Sequence, residues 1–224
     1  LVDRTSLQIG LHMTDVLDQW HYFASPVYSI KKPEFLDTVR KASNDVLHIQ
    51  RKENKIDEIY PVIQADVSGH DQLIEFHDYV INTAWNLLRD QGYNMDNRST
   101  YFTESWVQEH HKYSSMEYHN HNDCNLVAFY FTECPSNPPK LVIHDPRPSK
   151  VMIDLPEADF SNISMATSII NFTPTPGMLF FANSWLPHSF TRNASTKPFK
   201  FIHMNIATRL NPVPVVYPAS AEII

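Results

Sequence analysis

Apolar and polar positions alternate along the chain in two rhythms. From Pro33, "KPEFLDTVRKASNDVLHIQRK" sets Phe35, Leu36, Val39, Val46, Leu47 and Ile49 near helical spacing, with Pro33 suited to a first turn. A stronger stripe runs through "SGHDQLIEFHDYVINTAWNLLRDQGY", where Leu73, Phe76, Val80, Ile81, Ala84, Trp85 and Leu88 share one face. Ser68 or Asp71 is placed to cap that helix and Gly92 to end it. Ahead of both, Phe23, Val27, Tyr28 and Ile30 predict a short strand broken by Pro26. After residue 100 the period shortens. "YFTESWVQEHHKY", "NLVAFYFTEC", "KLVIHDP", "KVMIDLP", "ATSIINFTPTPGMLFFANS", "HSFTRN" and "FKFIHMNIATRL" predict strands separated by Pro, Asn, Asp and Ser.

Short strands behind a helical N-terminal part predict one mainly β domain built as a sandwich, jelly roll or small barrel. Residues 1–100 form its helical support, 101–210 its β core, and 211–224 an extended, Pro-spaced tail that offers a surface for a second copy of the chain. Composition agrees, since 16 prolines against 4 glycines suit short strands joined by rigid turns better than a helical bundle. A formal charge of −7 without a Lys/Arg cluster gives no footprint for nucleic acid. No stretch is apolar enough to span a bilayer and no basic-then-apolar leader is present, so the expectation is a soluble, cytoplasmic protein. The two cysteines, Cys124 and Cys134, are then expected to be free thiols.

Candidate chemistry concentrates in "MEYHNHNDCNLVAFYF", residues 116–131. Residues two apart on a strand face the same way, so His119, His121 and Asp123 can converge on one point. A His-x-Asp pair is one part of a two-histidine, one-carboxylate metal triad that leaves coordination positions open. A second string, "PTPGMLFFANSWLPHSFTRN", leads an apolar strand through a rigid Leu-Pro step to His188. The favoured ligand set is His121, Asp123 and His188; His119 is the alternative ligand, giving an all-histidine site of cupin-like type. His203 reads as a packed residue, and a Cys-x-x-Cys zinc cage is absent from the sequence.

Together, "YHNHNDCNLVAFYFTECP", "HDPRP", "PTPGMLFFANSWLPHSF" and "KFIHMNIA" resemble the 2-oxoglutarate and Fe(II)-dependent oxygenases, over roughly residues 105–207. The resemblance implies a double-stranded β-helix with the metal at its open end, and Fe(II) and 2-oxoglutarate as cofactors. It implies a dioxygenase that uses O2 to hydroxylate an unactivated C–H bond of a small-molecule or peptide substrate, releasing succinate and CO2. It also implies a basic residue for the distal carboxylate of 2-oxoglutarate on the strand after His188. Lys200 is the first candidate, sharing a face with Ile202 and Met204 that would line the barrel; Lys197 and Arg192 are the others. Tyr118 and Tyr130 are candidate hydrogen-bond donors to the co-substrate. The rival reading is a cupin-like metalloprotein that acts without 2-oxoglutarate.

Overall fold

The computed structural model describes residues 23–152 and 155–212. The tail expected to extend along the surface lies, beyond residue 212, outside the described residues. Pro26 immediately precedes the first strand, β1 (Val27–Lys31), rather than interrupting it. A single 3-10 turn at Pro33–Phe35 leads into helix α1 (Leu36–Glu53), in keeping with proline's fit to a helix start. Helix α2 (Ile74–Asp90) follows a 3-10 turn whose cap is neither Ser68 nor Asp71. The His70 ring accepts from the Gln72 backbone N–H instead, while Ser68 hydrogen-bonds Asp66 in the preceding turn. Gly92 ends the helix at φ +93°, as its position predicted. Among the described residues no helix is long and apolar enough to cross a membrane.

The remaining strands are β2 (Val62–Asp66), β3 (Arg98–His110), β4 (Met116–His119), β5 (Leu126–Glu133), β6 (Leu141–His144), β7 (Ile169–Phe172), β8 (Met178–Asn183), β9 (His188–Phe190) and β10 (Phe199–Leu210). Of "KVMIDLP", expected as a strand, residues 150–152 belong to a 3-10 turn, Pro148–Met152, and residues 153–154 lie outside the described residues. All the strand pairings are antiparallel. They build a six-stranded sheet in the order β1-β8-β5-β10-β3-β2 and a four-stranded sheet in the order β4-β9-β6-β7. Two facing sheets of this order are a double-stranded β-helix.

Each face of the larger sheet buries a separate core. Ala128, Tyr130, Ile202, Met204 and Ile206 turn outward onto Leu47, Phe76, Val80 and Ala84 of the two helices. Phe129, Phe131, Phe199 and Phe201 turn inward and meet Leu141, Ile143 and Phe190 of the smaller sheet and Leu186 in the turn before β9. The alternation along β5 and β10 therefore sends one set of side chains to the helices and the other into the barrel.

Gly177 fastens the edge of this assembly. Its carbonyl accepts from Lys32 N–H at 2.7 Å and its N–H donates to Phe131 O at 2.8 Å, at φ +79°. A Cβ there would stand 3.2 Å from Pro33 Cα in a conformation L-residues avoid. Gly177→Ala is expected to cost about 1–2 kcal/mol in urea unfolding. An unchanged midpoint would show that the turn relaxes freely.

Candidate metal centre

The site forms where the small sheet meets the mouth of the barrel. β4 and β9 pair so that His119 lies opposite His188, a register that brings directly facing side chains within contact range. Beyond His119 the strand stops and residues 120–123 bend, with His121 held by its backbone N–H donating to Ser184 O at 2.9 Å. The three rings face one another: His119 to His188 at 4.4 Å, His119 to His121 at 5.1 Å and His121 to His188 at 5.3 Å between centroids. One nitrogen from each lies within 4.8 Å of the other two.

Backbone carbonyls set the tautomers. His119 Nδ1 sits 2.7 Å from Glu117 O and His188 Nδ1 sits 3.0 Å from Leu186 O, so each ring donates Nδ1–H and turns the Nε2 lone pair toward the cluster. Nε2 of His121 and of His188 is buried without a partner. Burial, then the neighbouring His119, pushes His121 down to about 4. Burial pushes His188 down to about 3. Both rings are held neutral, the form that binds a metal. Three convergent imidazoles, two of them held neutral with buried, unpartnered Nε2 atoms, fit a divalent first-row ion such as Fe(II).

The expected residues divide. His119, His121 and His188 come together, with His119 in the position foreseen for the alternative ligand. Asp123 does not join them: the period-two rule holds only along a regular strand, and the bend after His119 leaves the Asp123 carboxylate exposed outside the group. Lys200, Ile202 and Met204 do share a face, but it is the outer one. Lys200 Nζ lies 3.1 Å from Glu109, 3.0 Å from Glu133 and 3.1 Å from Asn44 on α1, while the inward positions on either side are Phe199 and Phe201. Lys197 and Arg192 are exposed in the segment between β9 and β10. Tyr130 also faces outward, donating to Lys32 O at 2.7 Å. Tyr118 is exposed at the rim, edge-on to His144 at 4.9 Å.

His203, read from the sequence as a packed residue, is presented to the cluster by the inner face of β10. It is 1% exposed, its ring lies 5.0 Å from His121, 4.3 Å from Trp106 and 4.7 Å from Phe129, and neither of its nitrogens has a partner. The available signal was a histidine among apolar residues at inward spacing with Phe199 and Phe201. Cys124 beside the site is a packed thiol pushed up to about 11 by burial, and both cysteines are free.

Residues 104–199 match the family model described as "Putative 2OG-Fe(II) oxygenase". Over these residues the chain is similar to the 2-oxoglutarate and Fe(II)-dependent oxygenases. Solved structures agree on the fold. A prolyl-4-hydroxylase from Pseudomonas putida is 10% identical with TM-score 0.53, the match covering 81% of this chain and 92% of that one. The non-heme alpha ketoglutarate dependent epimerase SnoN from nogalamycin biosynthesis is 10% identical with TM-score 0.55, over 86% and 83% of the two chains. AviO1 from Streptomyces viridochromogenes Tue57 is 11% identical with TM-score 0.55, over 87% and 92%. No curated protein matches the sequence.

Burial of other histidines sets an acid limit on the stability of the fold. His77 and His110 are each pushed down to about 4 by burial, and His203 well below its ordinary value by the same cause. Their unfolded forms take up a proton near pH 6.5 while the folded forms do not, so the unfolded state binds more protons and stability falls as pH drops below that value. The loss is expected to reach about 1.4 kcal/mol per pH unit for each such ring between pH 6 and 4.5, read from urea midpoints of the metal-free protein. A flat profile over that range would show that these rings are hydrated.

Proposed function

We propose that this chain is a non-haem iron dioxygenase with Fe(II) and 2-oxoglutarate as cofactors, and that it hydroxylates an unactivated C–H bond of a small-molecule or peptide substrate, with release of succinate and CO2. In this reading His119, His121 and His188 hold the iron. The observation that carries it is the convergence of three imidazoles, one nitrogen of each within 4.8 Å of the others, with Nε2 of His121 and His188 buried without protein partners. Fe(II) with 2-oxoglutarate and O2 supplies the oxidising chemistry, and the protein supplies position and a dry wall. Carbonyls of Glu117 and Leu186 fix the ring orientations, and Phe129, edge-on to His188 at 5.5 Å, keeps water from the inner side.

Substrate has a place to approach. Ile143 pairs with His188, and His144 N–H donates to Pro187 O at 3.0 Å, so the end of β6 borders the metal site. A cavity of about 490 Å³ opens there, lined by Ile143, His144, Arg147, Met165, Ile170 and Leu186. Such a volume suits a small molecule or one side chain of a peptide. Arg147 is fastened to Asp145, with Nε 2.9 Å from Oδ1, and serves as a wall of this cavity rather than as a mobile clamp. Two free cysteines support a reducing, cytoplasmic setting.

The test is an anaerobic titration of the protein with Fe(II), then with 2-oxoglutarate, followed by the weak visible charge-transfer band of an iron-chelated 2-oxo acid. A saturable band supports the reading. Iron binding without a band favours the rival that acts without 2-oxoglutarate, and no iron binding at all removes both.

A further inference from the structure

The metal site has an uneven surround. Nearly all the unpartnered buried polar atoms that are not in the helices or at the sheet's far end belong to it or to the inner faces of β3 and β10: Nε2 of His121 and His188, both ring nitrogens of His203, Nε1 of Trp106 and Oδ1 of Asn205. Buried polar groups in folded proteins are almost always paired, so a cluster of orphans marks the place of a ligand. Two of the orphan sets are accounted for once the three histidines take a metal. Those of His203 and Trp106 are not, because His203 falls outside the group whose nitrogens converge within 4.8 Å.

Charge narrows the ligand. Three imidazoles leave the 2+ of a bound ion uncompensated, with Asp123 outside the group and the wall behind it aromatic. A buried charge of that kind calls for an anion in the open positions. No cationic side chain is offered to such an anion from the sheet: Lys200, the one buried Lys or Arg among the described residues, is spent on Glu109, Glu133 and Asn44 behind it. What the inner face offers instead is a pair of ring N–H donors. Trp106 Nε1 can only donate, and the His203 imidazole carries at least one N–H in either protonation state. The two residues are cross-strand partners in the β3–β10 ladder with rings 4.3 Å apart, a rigid platform beside His121.

We infer that His203, with Trp106, receives the carboxylate oxygen of the metal-bound 2-oxo acid, so that ring N–H donors take the part expected of a lysine or arginine. His203 is then a binding and positioning residue rather than a ligand. The inference rests on the proposed function.

The experiment compares wild type with His203→Phe, His203→Gln and Trp106→Phe under anaerobic conditions. Co(II) absorbance measures metal affinity, and the Fe(II) band measures 2-oxoglutarate affinity. Phenylalanine keeps the ring contacts with Trp106 and Phe129 and removes only the nitrogens, and circular dichroism checks folding before either titration. Metal dissociation constants should stay within about threefold of wild type, because no ligand is lost. The 2-oxoglutarate dissociation constant should rise about 10- to 100-fold in His203→Phe, the effect of losing one hydrogen bond to a charged group. Trp106→Phe should raise it less, and His203→Gln, which keeps a donor, should restore part of the loss. A metal affinity that collapses in His203→Phe would make His203 a ligand and overturn the inference. Unchanged 2-oxoglutarate binding in both phenylalanine variants would also overturn it while leaving the proposed function standing. A wild type that binds iron but gives no band ends both.

Discussion

His188→Ala is expected to abolish turnover and to weaken Fe(II) binding by at least about 100-fold, more than the loss seen on removing a residue that only supports a ligand. The size of the effect follows from where the ring sits. His188 is fully buried, its Nε2 has no protein partner, and its Nδ1 is already committed to Leu186 O. No neighbouring donor can replace it: His144, on the adjacent strand, is turned to Ser189 Oγ at 2.9 Å. The variant also loses ring packing against Phe129, so its stability should fall along with its affinity. Asp123→Ala is the matched control. With its carboxylate exposed outside the cluster, that change should leave Co(II) affinity within about threefold of wild type, whereas a loss as large as that of His188→Ala would restore the carboxylate triad.

Lys200→Ala should unfold the protein more readily and leave the metal untouched. Lys200 lies between Glu109, itself paired with Arg51 of α1, and Glu133, so the lysine joins the outer face of β10 to a helix. Removing one partner of a buried pair costs about 3–5 kcal/mol, and because Arg51 and His111 remain beside Glu109 the loss should fall at about 3 kcal/mol in urea titration. Lys200→Met, which refills the volume, should cost less. Burial alone would raise the Glu109 carboxyl, yet hydrogen bonds from Arg51 and Lys200 outweigh it and hold the group lowered. A depressed carboxylate stabilises the fold above its unfolded value of about 4.3, and that contribution disappears as pH falls through the folded value. The difference between wild type and Lys200→Ala should therefore shrink below about pH 4. If 2-oxoglutarate affinity fell in Lys200→Ala with stability unchanged, the outward orientation of this side chain would be disproved.

The helices and most of the strands were legible because each is amphipathic in the period its backbone imposes. β2 was not anticipated, although Ile63, Ala65 and Val67 alternate with Gln64 and Asp66; five residues of modest hydrophobicity next to a strong helical stripe gave little contrast. "KVM" carried strand-like apolarity, but Pro148 sets up a 3-10 turn there. Two errors at the site have separate origins. The alternation that should have carried Asp123 to the metal assumed a strand that in fact ends at His119. On β10 the alternation was read correctly and the inward face wrongly, since nine consecutive residues from Phe199 to Ala207 are buried. A strand covered on both sides offers no polar face by which its sequence could announce which way is in. For the same reason His203 reads from the sequence as packing alone.

The position of β10 also bears on the order in which the protein matures. It is the last described element in the chain, yet it lies between β5 and β3 at the middle of the larger sheet and is hydrogen-bonded to both along most of its length. Until it is inserted, two long strands keep open edges, the condition under which unfinished β proteins stick to one another. His119, His121 and His188 are all made before it, but the wall behind them, with His203 and Phe201, arrives only with this strand. A metal held by these three rings would therefore be enclosed only once β10 has closed the middle of the sheet, and the open edges of β3 and β5 are the stretch of assembly most exposed to aggregation.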